Sequence, residues 1–369
     1  MIGLYKKNIN IVTFNFNKIL PVFSYSVATF FLMDFAFFID NIVDLLHFTY
    51  LEAFILLGIP FIGRMFTPFI YAPLARMGVP RLALFSISVM SIISFLISYE
   101  KTFPEMFISR FLIGIFYGTA TSAAIEVSSI TKNRIIIGLT MGGWAIGWLI
   151  AAVFFMFLKS WSLVSLIGIV FVPAIIFSKK HNVISPLVKK FQFDFSFKIF
   201  ILFILGFTPA YILEVVPSFL GSASLYESII AYSFAVPAYI ILPYLINRIS
   251  IYKIFYASVV IVSLSGIIFF LTDDIVLAVI FTVFGLGMIS LLPIISRNLN
   301  VEPKKIGPSM NFAAVSGFLL PVILPIGIEY INIIATVILF GIATIIFTKF
   351  ETGSKFWKNI ILSKNIIKH

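Results

Sequence analysis

The chain has 369 residues, 61% hydrophobic and 11% charged, with a formal net charge of +11 and a mean hydropathy of +1.12. Soluble domains carry about 25% charged residues, so most soluble enzyme classes are excluded, and apolar runs repeated from end to end point to segments facing lipid or one another. With no cysteine there is no disulfide framework, iron–sulfur ligation or Cys-based zinc site; His47, His181 and His369 offer no pair at helical spacing, so no metal or other cofactor is expected.

A membrane-crossing helix needs about 20 mostly apolar residues. In chain order such stretches fall at residues 17–39, 51–73, 81–98, 104–125, 135–157, 161–177, 197–218, 226–246, 253–271, 275–296, 307–327 and 330–348. Lys6, Lys7 and Lys18 precede the first of them. It is too long for the apolar region of a signal peptide and lacks a small-residue cleavage site, so it is read as helix 1. Between the sixth and seventh stretches lies a polar segment, 178–196, with Lys179, Lys180, Pro186, Lys189 and Lys190. It separates an N-terminal bundle (1–177) from a C-terminal bundle (197–348), which a basic tail (349–369) follows. The expected fold is therefore an all-α integral membrane protein, with about twelve transmembrane helices in two pseudo-symmetric six-helix bundles.

The loops test this division independently, since cytoplasmic loops hold an excess of Lys and Arg. Placing the termini and the loops after even-numbered helices inside leaves only Lys101 and Lys159 outside and Arg64 and Arg110 within helices, out of 26 basic residues. Asp40, Asp44, Glu52, Glu100, Glu105, Glu227, Asp273, Asp274 and Glu329 fall on the outer side. Both termini are thus expected in the cytoplasm, in a multi-pass cell-membrane protein. The positive charge is explained by topology, and no nucleic-acid partner is invoked.

The halves echo each other, as in transporters built from repeated bundles. LARMGVPRLAL (Leu74 to Leu84) follows helix 2 and INRISIYKIFY (Ile246 to Tyr256) follows helix 8, so Arg76 answers Arg248 and Arg81 answers Lys253. After helices 4 and 10, Arg134 likewise stands beside Lys305. The loop from Tyr71 to Arg81 resembles the G-x-x-x-D-R-x-G-R-[RK] motif of the major facilitator superfamily, with Arg76, Gly78 and Arg81 fitting and Ala75 replacing the acid. Arg110, Gly114 and Gly118 match that family's arginine and glycines early in helix 4, and Glu126 and Arg134 match its spacing after helix 4. The resemblance implies two bundles rocking about a midplane site. It also implies that the lock normally served by the missing acid is weakened or built differently, and the inner-face residues Arg76, Gly78, Arg81, Arg134, Arg248, Lys253 and Lys305 are expected to latch onto helix-end carbonyls and acids such as Glu126.

Four ionisable residues lie inside helices, where a charge costs about 2.5 to 3.5 kcal/mol even on lenient scales: Asp34, Arg64, Arg110 and Glu214. At 1.5 Å per residue, Asp34 lies about 8 Å and Arg110 about 9 Å from the outer face, a depth at which they could pair. Either Asp34 exchanges a proton as a carrier cycles, with Arg110 holding it charged in one state, or the two form a static ion pair fixing helices 1 and 4. Arg64, about 20 Å deep, is the leading anion-binding candidate. Glu214 is a gate, an interface residue or a substrate contact. Gly138, Gly142, Gly143 and Gly147 suit close helix packing, as do Gly285 and Gly287. Pro60, Pro68, Pro209, Pro237, Pro293 and Pro321 suit bends. Tyr117, Trp144, Trp148, Tyr211, Tyr232 and Tyr239 are either packing residues or cavity walls.

The expected function is secondary active transport of a small solute by alternating access, with proton coupling as one option, by a monomer embedded in lipid. No GxxxxGK[ST] motif is present for ATP. The rivals are a non-transporting sensor or scaffold with a carrier fold and a membrane-embedded enzyme. The enzyme would be expected to show clustered His, Asp or Glu at a membrane face, which the scattered acids do not supply.

Overall fold

The computed structural model describes residues 2–131, 133–177, 203, 224–272 and 274–314. The expected linker 178–196, helices 7 (save Phe203) and 12, most of helix 11, the tail, Glu214 and Tyr211 lie outside the described residues.

Helix α1 spans Ile2–Phe37, beginning well before the expected residue 17 because neither proline nor glycine interrupts the chain between Leu4 and Leu20. Its membrane-length apolar part is Ile19–Phe37. A short helix α2 (Ile39–Leu46) ends on His47 in the left-handed conformation. Thr49 and Glu52 then close a reciprocal capping box that starts α3 (Tyr50–Met65), satisfying two backbone donors at its first turn.

The expected span 51–73 is two helices: α3 stops at Phe66, and α4 (Thr67–Leu74) departs at 54°. Pro68 has no N–H to give the Arg64 carbonyl four residues earlier. The Thr67 hydroxyl donates to that carbonyl instead, at 2.6 Å. A 3-10 turn over Ala75–Met77 follows, and Gly78, at φ 101, makes a corner that a side chain would strain. Beyond it runs α5 (Val79–Ile97).

Helix α6 (Phe103–Ile130) precedes α7 (Arg134–Leu158), whose first turn is capped by the Asn133 side chain. Helix α8 (Trp161–Gly168) tightens into a 3-10 segment over Ile169–Phe177. The second half contributes α9 (Ser224–Leu245), α10 (Ile251–Thr272), α11 (Ile275–Ile289), α12 (Leu292–Asn298) and α13 (Pro303–Ala313). The expected helix 10 is interrupted at Ser290 and Leu291, where Pro293 cannot donate to the Ile289 carbonyl.

Every regular element among the described residues is helical. Among the described residues six helices are long and apolar enough to cross a membrane, seven if the bent pair α3–α4 counts as one span. The twelve spans of the sequence reading extend beyond what these residues display.

Helix α7 packs between α1 and α9. Gly143 and Gly147 meet α1 at Tyr25, Ser26 and Thr29, while Gly138 and Gly142 meet Tyr239 of α9. The glycine run is therefore two faces rather than one: offset by a residue or so, it lets α7 approach a helix of each half closely. Helix α6 packs on α3 through Gly63, Gly114 and Gly118 and on α13 where Gly307 sits against Ser122.

Between α5 and α6, at the end of the bundle rich in acids, Ser109 donates to the half-buried Glu100. Burial pushes the Glu100 carboxyl above its ordinary 4.5; the Ser109 bond opposes this and the Glu105 charge adds to it. A raised folded-state value favours the protonated form. The stabilisation is complete below 4.5 and is lost as pH rises through the folded-state value. Thermal unfolding is expected to shift modestly downward as pH rises from below 4.5 to neutral, and Glu100→Gln should flatten that slope; an unchanged slope in the variant would locate the titration elsewhere.

Candidate functional site

Arg64 stands at the last turn of α3 and is 1% exposed. Its Nε donates to Asn311 Oδ1 of α13 at 2.9 Å, and its guanidinium carbon lies 4.5 Å from the Tyr117 ring centroid and 5.6 Å from that of Phe61. Asn311 in turn holds α6: its amide nitrogen reaches the Gly118 carbonyl at 3.0 Å, Ser122 Oγ at 3.0 Å and Thr121 Oγ1 at 3.1 Å. One neutral amide of α13 thus ties the buried cation of α3 to α6. A carboxamide can do this because it carries both donors and an acceptor.

An aromatic layer surrounds this junction. Tyr25 of α1 meets Tyr117 edge-on with ring centroids 6.2 Å apart, and Tyr117 meets Trp144 of α7 at 6.3 Å. Across the halves, Trp148 stacks on Tyr232 of α9 at 3.9 Å and 10°. Tyr239 seats its ring on Gly142. Among the described residues, Trp144 Nε1 and the Tyr239 hydroxyl are buried without a hydrogen-bond partner.

Asp34 and Arg110 form a second buried cluster, but they are not a direct ion pair. Asp34 Oδ1 accepts from the Phe35 N–H at 2.6 Å and Oδ2 from Ser94 Oγ of α5 at 2.9 Å. Arg110 lies 4.4 Å over the Phe35 ring and gives both terminal nitrogens to the Leu32 carbonyl at 3.2 Å. Its Nε donates to the Leu56 carbonyl at 3.2 Å. The reason is local: Pro60 cannot bond Leu56 four residues earlier, so a carbonyl is left open and the arginine takes it. The simple pairing drawn from depth alone therefore becomes a neighbourhood, in which each charge is solvated mainly by hydroxyl and backbone groups.

The expected latches divide. Arg134 Nη1 crosses to Asn247 Oδ1, beyond α9, at 2.6 Å. Glu126, 4% exposed, accepts from the Tyr71 hydroxyl at 2.7 Å, near Lys304, which itself pairs with Glu302 at 2.9 Å. Arg76, Arg81, Arg248 and Lys253 are exposed. Lys305 is half-buried in α13, and Gly78 serves the turn before α5.

Two contacts went unnoticed in the sequence. Arg297 donates to the Ser129 carbonyl at 3.0 Å, linking α12 to α6, and Asn311 organises the Arg64 junction. The available signal for Asn311 was a lone amide near the start of an apolar stretch, where an unsatisfied polar group is costly. For Arg297 there was none, because basic residues recur in most of the loops that the sequence reading assigns to the same side.

No family model matches this sequence, and no curated protein matches it.

Proposed function

We propose that the chain is a secondary transporter that moves a small solute across a cell membrane by alternating access between its two halves. In this reading it is a twelve-span monomer of major-facilitator type with both termini in the cytoplasm. The observation that carries the proposal is Arg64: a cation buried among membrane-length helices where the halves meet, tied across the junction by an uncharged amide. Placing a charge there costs a few kcal/mol, and a uniform neutral packing would join the halves at lower cost. Among the described residues, polar contacts cross the junction beside the packed Trp148–Tyr232 and Gly142–Tyr239 faces: Arg134 with Asn247, Arg297 with Ser129, Asn311 with α6. Such contacts can be exchanged for water when the halves rock apart. Smooth glycine faces on α7 permit the sliding.

Asp34 is the proposed proton carrier, held by Ser94 close to Arg110. A carrier moving one proton with its solute sustains about tenfold accumulation per unit of imposed pH difference. In proteoliposomes screened with sugars, organic acids, amino acids and amphipathic cations, Asp34→Asn is expected to lose that accumulation while keeping downhill flux. Unchanged pH-driven accumulation would end the coupling assignment; absence of flux for every solute in the parent protein would end the transporter reading.

A further inference from the structure

We infer that the solute is a small organic anion with a flat apolar body, an aromatic carboxylate, and that it is held at the junction by Arg64, Trp144 and Tyr239. This rests on the transporter reading and names its substrate class.

The groups brought together there are rich in hydrogen-bond donors. An indole N–H can only donate, and a guanidinium carries five donors and no acceptor. Trp144 is 4% and Tyr239 0% exposed, and among the described residues neither polar atom is bonded. A buried donor left unmet is costly, so two of them in one aromatic layer that also packs on the Arg64 guanidinium through Tyr117 form an arrangement that an incoming acceptor would complete. Adjacent residues of α7 bring the layer together: Gly142 faces Tyr239 and Gly143 faces Tyr25, while Tyr117 links Trp144 to Arg64.

The ligand's chemistry follows from what the site offers. A carboxylate has about four acceptor positions and no donor, matching a cation with two donors. Among the described residues the buried acids are Asp34 and Glu126, engaged with Ser94 and Tyr71, so neither is presented to a cationic solute in this layer. A sugar offers only neutral hydroxyl acceptors, which meet a cation less strongly than a carboxylate does. The Tyr25 and Tyr117 rings, edge to face, make the layer aromatic, and an aromatic ring packs favourably among such rings.

Benzoate, benzamide and benzylamine share a ring and differ in charge, which makes them the probes. With the purified full chain, benzoate is expected to raise the unfolding temperature and to bind at least about tenfold more tightly than the other two. Trp144→Phe and Tyr239→Phe delete only the unbonded N–H and O–H. Each should unfold no lower than the parent without ligand and yet weaken benzoate binding by about tenfold. Benzoate binding no tighter than benzamide, or unchanged in both variants, would overturn the inference. Labelled-solute flux separates the two levels: transport of benzylamine or glucose with benzoate inert would remove the anion and keep the carrier. Benzoate bound as expected, with no flux of any solute, would keep the site and remove the carrier.

Discussion

Asn311→Leu is expected to lower stability by about 3 kcal/mol and to loosen α13 from α6, the larger part of the loss coming from the acceptor taken from Arg64. The argument turns on which groups can recover. Thr121 already donates to the Tyr117 carbonyl at 2.8 Å, so its hydroxyl keeps a partner within its own helix. Arg64 Nε has Asn311 Oδ1 at 2.9 Å, and leucine, though close in volume, offers it nothing. Interhelical hydrogen bonds in membranes average about 0.6 kcal/mol when a neutral partner is removed; stripping an acceptor from a buried cation costs more. The double variant Arg64→Met with Asn311→Leu removes the charge as well as its acceptor, and should cost less than the sum of the singles. Thermal unfolding of the four proteins in detergent gives the coupling directly. Because the chain contains no cysteine, a Ser122→Cys reporter adds a second readout, with thiol labelling expected to quicken in the Asn311→Leu background. Parental unfolding and parental labelling together would mean that the amide does not hold this junction.

Gly114→Ala should be at least as damaging, by a different mechanism. A Cβ at Gly114 would collide with the Pro60 carbonyl oxygen and stand 2.6 Å from Pro60 C and Cα. These are backbone atoms, which no rotamer change can clear. Helices α3 and α6 would have to separate by enough to disturb the Arg110 bond to the Leu56 carbonyl, four residues before Pro60. Overpacking of this kind costs about 3 kcal/mol when side chains cannot yield, and the loss of the arginine's carbonyl adds to it. Gly142→Ala is the internal comparison. Its Cβ would meet side-chain atoms of Tyr239 at 3.2 to 3.5 Å, contacts that a small ring tilt relieves, so it should cost well under half as much. Equal losses at the two positions would refute the backbone-collision account.

The two variants also mark what a linear reading reaches. Gly114, Gly118 and Arg110 stood out as a pattern along one helix, and Pro60 as an expected bend. Their combined effect, a carbonyl freed by a proline and filled by an arginine 54 residues away, depends on which helix lies alongside. In the same way Asp34 and Arg110 were placed at one depth by counting residues, yet depth says nothing about rotation around the helix axis. Phe35 and the Leu32 carbonyl, rather than the carboxylate, meet the guanidinium. The bend at Phe66 was legible, since Pro68 stood among the prolines expected to bend helices, whereas its 54° angle and the Thr67 hydroxyl that fills the Arg64 carbonyl were not.

By itself the sequence determined the helical class: its long apolar stretches need their backbone polar groups satisfied within each segment, which a helix does. It also gathered basic residues in some loops and acids in others, because charge in loops is local information, and it singled out Asp34, Arg64 and Arg110, which the helices bury. Tertiary structure alone decided the partners. Asn311 reaches Arg64 across 247 positions, and Arg134 meets Asn247 while Arg76, Arg81, Arg248 and Lys253 remain at the surface. The glycines of α7 split between two neighbours. Hydropathy is a sum over consecutive residues, whereas a hydrogen bond between helices is set by rotation, register and a contact of about 3 Å, none of which a sum along the chain contains.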